Sequence, residues 1–284
     1  MKNYSIQNLV GGSLGLSKYK VTRDGIRIYP LSEFSGMRTA GRVAAQILDD
    51  LCDHVQPGIK TIDIDELVRD RIREYGVKSS TIGYRGYGHA SCISVNHVVC
   101  HGIPGPKVLQ SGDILNIDVT ITADGWFGDS SRMYAAGQIA RKSSRLLDVT
   151  HKSLMLGIEA VKPGGFFGDI GHAIQKFAES HRMSVVRNFC GHGIGREFHL
   201  PPNVLHFGSR GTGAKLEPGM IFTIEPMINI GKPGTKILSD NWTAVTLDRS
   251  LSAQFEHTVG VTEDGYEIFT LSPGGLFHPT RHLN

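Results

Sequence analysis

The sequence predicts an α+β fold: a curved, largely antiparallel central sheet with helices packed outside it, built as two related halves. Three observations point there. VQPGIKTIDI at 55–64 is answered by VKPGGFFGDI at 161–170, an offset of 106. LQSGDILNID, ending at Asp118, is answered by LEPGMIFTIE, ending at Glu225, an offset of 107. The V-x-P-G segments are each flanked by helix-like stretches, and the remaining apolar runs are short and separated by turn residues, as strands are. Two matches at nearly one offset argue for a duplicated helix–helix–strand unit. Duplication would set Asp118 and Glu225 at equivalent points of the two halves.

The elements follow in order. Residues 1–31 read as short strands and loops, with a turn at Asp24-Gly25. A helix is expected over 32–54, with Val43, Ala44, Ile47, Leu48 and Leu51 inward. A second covers 63–75, where Asp63 and Glu66 fit a cap with a return bond and Ile64, Leu67, Val68 and Ile72 share a face. Strands are expected at 91–100 and 112–122. Asp124-Gly125 then turns the chain back into 126–134, a hairpin that sets Asp118 roughly opposite Asp129. Helices at 141–160 and 169–181 open the second half, the latter with Ile170, Ala173, Ile174 and Phe177 on one face. Strands at 184–190, 220–230, 242–248, 253–262 and 265–270 complete it. Helices against such a sheet make one α+β domain.

The bulk numbers exclude several classes. The 284 residues are 40% hydrophobic and 20% charged, as a folded soluble chain should be. The net charge of +3, from 30 basic and 27 acidic residues, is too weak and dispersed to indicate nucleic acid. No apolar run approaches the roughly 20 residues of a membrane helix, and MKNYSIQNLVGG lacks a secretory apolar core, so the expected home is the cytoplasm. Cys52, Cys92, Cys100 and Cys190 form no CxxC pair and read as free thiols. There is no Gly-rich dinucleotide fingerprint; GHGIG at 191–195 lacks the strand-to-helix context and the lysine of a phosphate loop.

The chemistry rests on five residues in or beside apolar strand-like runs: Asp118, Asp129, His192, Glu225 and Glu256. Carboxylates are rarely buried without something to offset desolvation. Four acids and an imidazole suit a pair of divalent ions, Mn, Fe, Co or Zn, bridged by carboxylates. A single such acid could as well face water; five such sites, one of them a histidine, read as a metallohydrolase. His101 and His199, each in a turn-rich loop, would then stand beside the cluster to carry protons or stabilise an oxyanion. The other histidines, His89 and His206 among them, read as ordinary core or surface residues. His257 would point to the opposite face from Glu256.

The stretches GYRGYGHASCISVNHVVCHGIP, GDILNIDVT, GDSSRM, CGHGIGREFH, LEPGMIFTIEPM and RSLSAQFEHTVGVTEDG are long, ordered and jointly specific. By them the chain closely resembles a type I methionine aminopeptidase of the bacterial kind, over about residues 30–271. The resemblance implies the pseudo-two-fold pita-bread fold, flanked by an extension at 1–29 and a tail at 272–284. It assigns Asp118, Asp129, His192, Glu225 and Glu256 to two metals, with Asp129 and Glu256 bridging. It places His101 near the substrate amine, His199 on the scissile carbonyl, and Glu225 on the proton of the attacking water. Thr81, Tyr84, Tyr87, Cys92, Phe198 and Trp242 would line a methionine pocket, whose aromatics and thiol suit a thioether. Asn96, Val98 and Ser252 align with a monovalent-cation site of some relatives.

Two positions depart from the family pattern. Thr81 stands where cysteine is frequent, and Gly88 stands where proline often follows the second tyrosine, which implies a looser loop. The implied reaction is release of the initiator methionine from nascent chains whose second residue is small. A monomer with a transient ribosome contact is expected, although no strong basic run marks that contact. The nearest rival is a proline-specific peptidase of the same fold, usually longer by an N-terminal domain. A rival of another class is a non-catalytic binding relative, which would have lost ligands; none is lost here.

Overall fold

The computed structural model describes residues 19–276. Residues 1–18 and 277–284, most of the expected extension and tail, lie outside the described part. Four helices carry the predicted periodicities: α1 (Phe34–Asp50), α2 (Thr61–Glu74), α3 (Arg141–Glu159) and α4 (Phe167–Ser180). They fall in two pairs, α1 with α2 and α3 with α4, as the duplicated segments require. The linkers repeat too. Gly58 and Gly164, closing V-x-P-G, both have left-handed φ, 99° and 79°. Gly112 and Gly219, closing L-x-x-G, do likewise at 100° and 94°, behind the buried Leu109 and Leu216. A side chain there would be strained, which fixes glycine in both copies.

The strands of the first half are β1 (Lys20–Val21), β2 (Arg27–Ile28), β3 (Lys78–Ser79), β4 (Cys92–Val95), β5 (Val98–Cys100), β6 (Ile114–Ala123) and β7 (Trp126–Ala135). The second half adds β8 (Ser184–Val185), β9 (Gly191–Gly193), β10 (Leu200–Val204), β11 (Ile221–Ile224), β12 (Met227–Asn229), β13 (Thr235–Ile237), β14 (Ala244–Thr246), β15 (Ser252–Gln254), β16 (His257–Val261) and β17 (Tyr266–Ile268). Every pairing among them is antiparallel. The first half orders as β3-β6-β4 with β7 on β6, and the second as β10-β9-β11-β16-β17. Two apolar clusters fill the space under the helices. One joins α1 and α2 to β4, β6 and β7; the other joins α3 and α4 to β11 and β16. Among the described residues no helix is long and apolar enough to cross a membrane.

Three expected strands are interrupted, each for a local reason. The run at 91–100 breaks at Asn96, whose φ is 57° and whose side chain is spent on Asp113 and the Ile114 amide. The run at 220–230 breaks at Glu225-Pro226, where proline offers no N–H and the Glu225 amide donates to His206 Nε2 at 3.1 Å. The run at 253–262 breaks at Phe255-Glu256, where the Glu256 amide instead donates to the Ser131 carbonyl of β7 at 3.0 Å. That last bond joins the two halves. The caps also shift. Asp63 and Asp169 are the third residues of α2 and α4, accepting the amides of Lys60 and Phe166, so both helices begin two residues earlier than expected. Ile26 and Tyr29 are buried, Tyr29 in the first apolar cluster and Ile26 in the second.

Candidate metal centre

The hairpin of β6 and β7 sets the first two acids. Asp118 pairs with Ser131 and Asp129 with Thr120, so the acids are diagonal neighbours on one face rather than directly opposite. Glu225 and Glu256 sit in the two interruptions of the second-half strands, free of a regular ladder. His192 is carried on β9, between two glycines that allow a close backbone approach. A Cβ on Gly191 would stand 2.3 Å from the Thr223 carbonyl oxygen, and one on Gly193 2.1 Å from that of Pro201. The GHG sequence is therefore a strand squeezed between β11 and β10, consistent with discounting a phosphate loop.

These residues converge. Ligand atoms of Asp129, His192 and Glu256 lie within 4.8 Å of one another, in an arrangement that could hold a metal ion. His192 Nε2 is 3.5 Å from Asp129 Oδ2 and 3.8 Å from Glu225 Oε1. Asp118 and Glu225 line the same cavity, of about 720 Å³. Burial, with Asp129 and Glu225 beside it, holds the Asp118 carboxyl well above the usual range. Burial and the same two neighbours do so for Glu256. Burial pushes Glu225 up to about 7, against the pull of His192. His192 itself stays above its ordinary value, because Asp129 and Glu225 outweigh its burial. No lysine lines the cavity, and its one arginine, Arg85, is exposed and makes no ion pair among the described residues. Four crowded acids and an imidazole, with no lysine or arginine paired to them among the described residues, are a donor set that fits divalent ions.

The cavity wall is aromatic. Tyr84 lies against Phe198, centroids 5.0 Å apart, and stacks on His199 at 5.2 Å. Tyr87 packs on Trp242 at 4.9 Å. Cys92, paired with Asp118 across the sheet, brings its thiol beside the acids, and Thr81 completes the rim. His101 lines the cavity near Trp242 at 6.2 Å, its pKa lowered by burial. His199, 4.2 Å from the His192 ring, is lowered to about 4 by desolvation and by His192. The resemblance thus drew together, in one cavity, every residue it assigned to metals, catalysis and methionine. Asn96 and Ser252 meet outside this cavity: the Ser252 amide donates to the Asn96 carbonyl at 2.9 Å, and Ser252 Oγ is buried without a partner among the described residues; Val98 pairs with Val245.

The profile of Metallopeptidase family M24 matches residues 35–263. The chain is 53% identical to the methionine aminopeptidase of Rickettsia prowazekii over 256 residues, covering 89% of this chain and 98% of that one. It is 50% identical to that of Escherichia coli K12 over 248 residues, 87% of this chain and 94% of the other. The crystal structure of methionine aminopeptidase from Thermotoga maritima superposes with a TM-score of 0.84 at 40% identity, covering 86% of this chain and 99% of that one. The chain belongs to the methionine aminopeptidases of metallopeptidase family M24. The pita-bread fold expected from the sequence is the fold found.

Within this methionine aminopeptidase fold, several supporting residues escaped the sequence reading. Thr120 Oγ1 donates to Asp129 Oδ1 at 2.7 Å, Thr223 Oγ1 to Glu225 Oε1 at 2.8 Å, and Gln254 Nε2 to Glu225 Oε2 at 3.2 Å. Each stands two residues before or after an acid of the cluster, in Asp118-x-Thr120, Thr223-x-Glu225 and Gln254-x-Glu256. Strand periodicity puts such pairs on one face, so this signal was present. His206, read as an ordinary core histidine, is sealed and holds the Glu225 amide; nothing in its local sequence marks it. Asp24, at the tip of the β1–β2 hairpin, and Pro201 and Pro202 line the cavity mouth.

Proposed function

We propose that the chain releases the N-terminal methionine of nascent polypeptides whose second residue is small, by metal-dependent hydrolysis. The observation that carries this reading is the convergence of Asp129, His192 and Glu256 within 4.8 Å, beside a pocket walled by Tyr87, Trp242 and Cys92. Asp118, Asp129, His192, Glu225 and Glu256 would hold two ions, with Asp129 and Glu256 shared between them. When bound, the ions polarise the scissile carbonyl and make water acidic enough to attack near neutral pH. Cobalt, manganese, iron and zinc all accept this donor set.

The chain's own residues orient and move protons. Thr120, Thr223 and Gln254 fix the carboxylates of Asp129 and Glu225, so the centre is pre-set before substrate arrives. Glu225 takes the proton released by the attacking water. His199, neutral at physiological pH, donates an N–H to the carbonyl oxygen as charge develops there. His101, also kept neutral by burial, stands by the α-amine and carries its proton. Thr81, Tyr84, Tyr87, Cys92, Phe198 and Trp242 enclose the thioether and exclude water. A monovalent cation at Asn96, Val98 and Ser252 would give the unpartnered Ser252 hydroxyl oxygen an ion to coordinate. We place the catalytic unit at 30–271, acting as a cytoplasmic monomer that meets nascent chains at the ribosome.

A peptide panel tests the reading. Met-Ala-Ser should yield free methionine, while Met-Leu-Ser and Ala-Pro-Ser should resist. Cleavage of Ala-Pro-Ser alone would move the chain to the proline-specific branch, and metal binding without any cleavage would make it a binding relative.

A further inference from the structure

Asp65 is a carboxylate with no exposure at all, on the inward face of α2 and outside the metal centre. An isolated buried carboxylate is costly, so its partners state what it is for. Five donors reach it. Oδ1 accepts the amides of Ala90 and Ser91, both at 2.9 Å, and the Ser91 hydroxyl at 2.8 Å. Oδ2 accepts Arg69 Nε at 2.9 Å and faces His89 Nδ1 at 3.3 Å. Four of the five donors belong to residues 89–91, the last residues before β4.

The same segment continues into the pocket wall. Arg69, held by Asp65, passes its Nη2 to the Gly88 carbonyl at 2.7 Å. The Thr81 hydroxyl donates to the His89 carbonyl at 2.8 Å, and the Tyr87 hydroxyl to the Ser91 carbonyl at 2.9 Å. The Gly83 amide closes the loop onto the Tyr87 carbonyl at 2.7 Å. Thr81, Tyr87 and Cys92 line the cavity, and each is tied to or adjoins the stretch that Asp65 grips. None of the five metal-centre residues lies in this stretch.

We propose that Asp65, with Arg69 as its outer arm, is the positioning residue that sets the shape of the side-chain pocket and so its selectivity for methionine. It touches neither substrate nor metal. Its effect passes through the 88–91 backbone to Thr81 and Tyr87. A carboxylate suits the site because, with His89 as its Nδ1–H tautomer, five donors face it. An asparagine could still serve the three donors on Oδ1, but its NH₂ would face Arg69, which only donates, and His89 would have to switch tautomer to accept it. The proposal rests on the methionine reading of the pocket, so the test separates the two.

Three variants would be compared with the wild type: Asp65→Ala, Asp65→Asn and Arg69→Ala. Arg69 is part-exposed at 33% of its side chain, so its removal should leave a folded protein even if Asp65→Ala does not. The readouts are KM and kcat on Met-Ala-Ser and Leu-Ala-Ser, calorimetric titration with free methionine and free leucine, and Mn²⁺ affinity. The expected result is a KM for Met-Ala-Ser raised about tenfold, the scale of a misfit in an apolar pocket. Preference for methionine over leucine should fall by a similar factor, with kcat and Mn²⁺ affinity within about twofold. Asp65→Asn and Arg69→Ala should show smaller shifts of the same kind. Folded Asp65→Asn and Arg69→Ala proteins with wild-type KM and wild-type methionine preference would overturn the proposal. So would loss of kcat or Mn²⁺ affinity with selectivity intact, the mark of a merely structural role. If the wild type cleaves nothing and binds neither amino acid, the methionine reading fails, and the proposal with it. If it binds methionine over leucine without cleaving, the titrations alone decide the role of Asp65.

Discussion

Gly128 offers a test that runs from packing to chemistry. It lies in β7 opposite Ile121, directly before Asp129, where α1 crosses the strand. A Cβ built there would stand 2.3 Å from the Ala40 carbonyl oxygen, 2.4 Å from its carbon and 2.9 Å from the Gly41 nitrogen. All three are backbone atoms, so no side chain can rotate away. Relief to an ordinary contact of about 3.4 Å needs roughly 1 Å of movement between helix and strand. On another side, α1 already meets Phe269, whose carbonyl oxygen would be 2.5 Å from a Cβ on Gly41. The helix is thus confined, and Gly128→Ala should cost about 3 kcal/mol, the upper end of overpacking. That is a large part of a typical domain's stability. The strand shift would also carry Asp129 with it, and a misplacement near 1 Å can cost about a hundredfold in rate. The assay is urea unfolding beside kcat/KM on Met-Ala-Ser. Gly88→Ala is the control: nothing lies within 4 Å of its Cβ and its φ is not left-handed, so stability should hold or rise by about 0.5 kcal/mol. A Gly128→Ala protein with an unmoved urea midpoint and full turnover would refute the argument.

Two further outcomes are expected. Replacing Asp118, Asp129 or Glu256 by Ala should abolish metal-dependent turnover while leaving a folded chain; near-normal release of methionine by any purified variant would sink the ligand assignment. His206 is fully buried with its pKa lowered to about 3 by desolvation, and its Nε2 must stay unprotonated to accept the Glu225 amide. Below its ordinary value of 6.5 the unfolded chain takes up the proton and the folded one resists it. The stability contribution is therefore complete above pH 6.5 and lost as pH falls towards 3. Between pH 7 and pH 4, His206→Gln should lose up to about 3 kcal/mol less than the wild type in urea titrations; parallel pH profiles would count against this account.

The duplication was legible because it is written twice, in V-x-P-G and L-x-x-G, and left-handed glycines are hard to replace. The helices were legible from one apolar face each, although the starts of α2 and α4 were missed by two residues, since Asp63 and Asp169 reach back from inside the first turn rather than capping it. The strand break at Glu256 was not legible, and the one at Glu225 only in part, through Pro226. Partners far along the chain, the His206 ring and the Ser131 carbonyl, take up the freed amides, and the breaks are what frees those two acids from a ladder. The metal residues stood out as acids in apolar runs, and the pocket followed from resemblance. The tether on the Gly88 loop was not legible either: the Gly88 carbonyl accepts from Arg69, a residue 19 positions away. Asp65 was invisible for the same reason, an acid on a helix whose donors come from another segment.

The central claim is that the acidic cluster is a metal centre on which peptide hydrolysis depends. The direct measurement is release of free methionine from Met-Ala-Ser by chelated protein, its metal content verified, before and after return of Mn²⁺, Co²⁺ or Fe²⁺. The account predicts no release from the stripped protein and recovery on return of metal. Undiminished turnover by verified metal-free protein would contradict it.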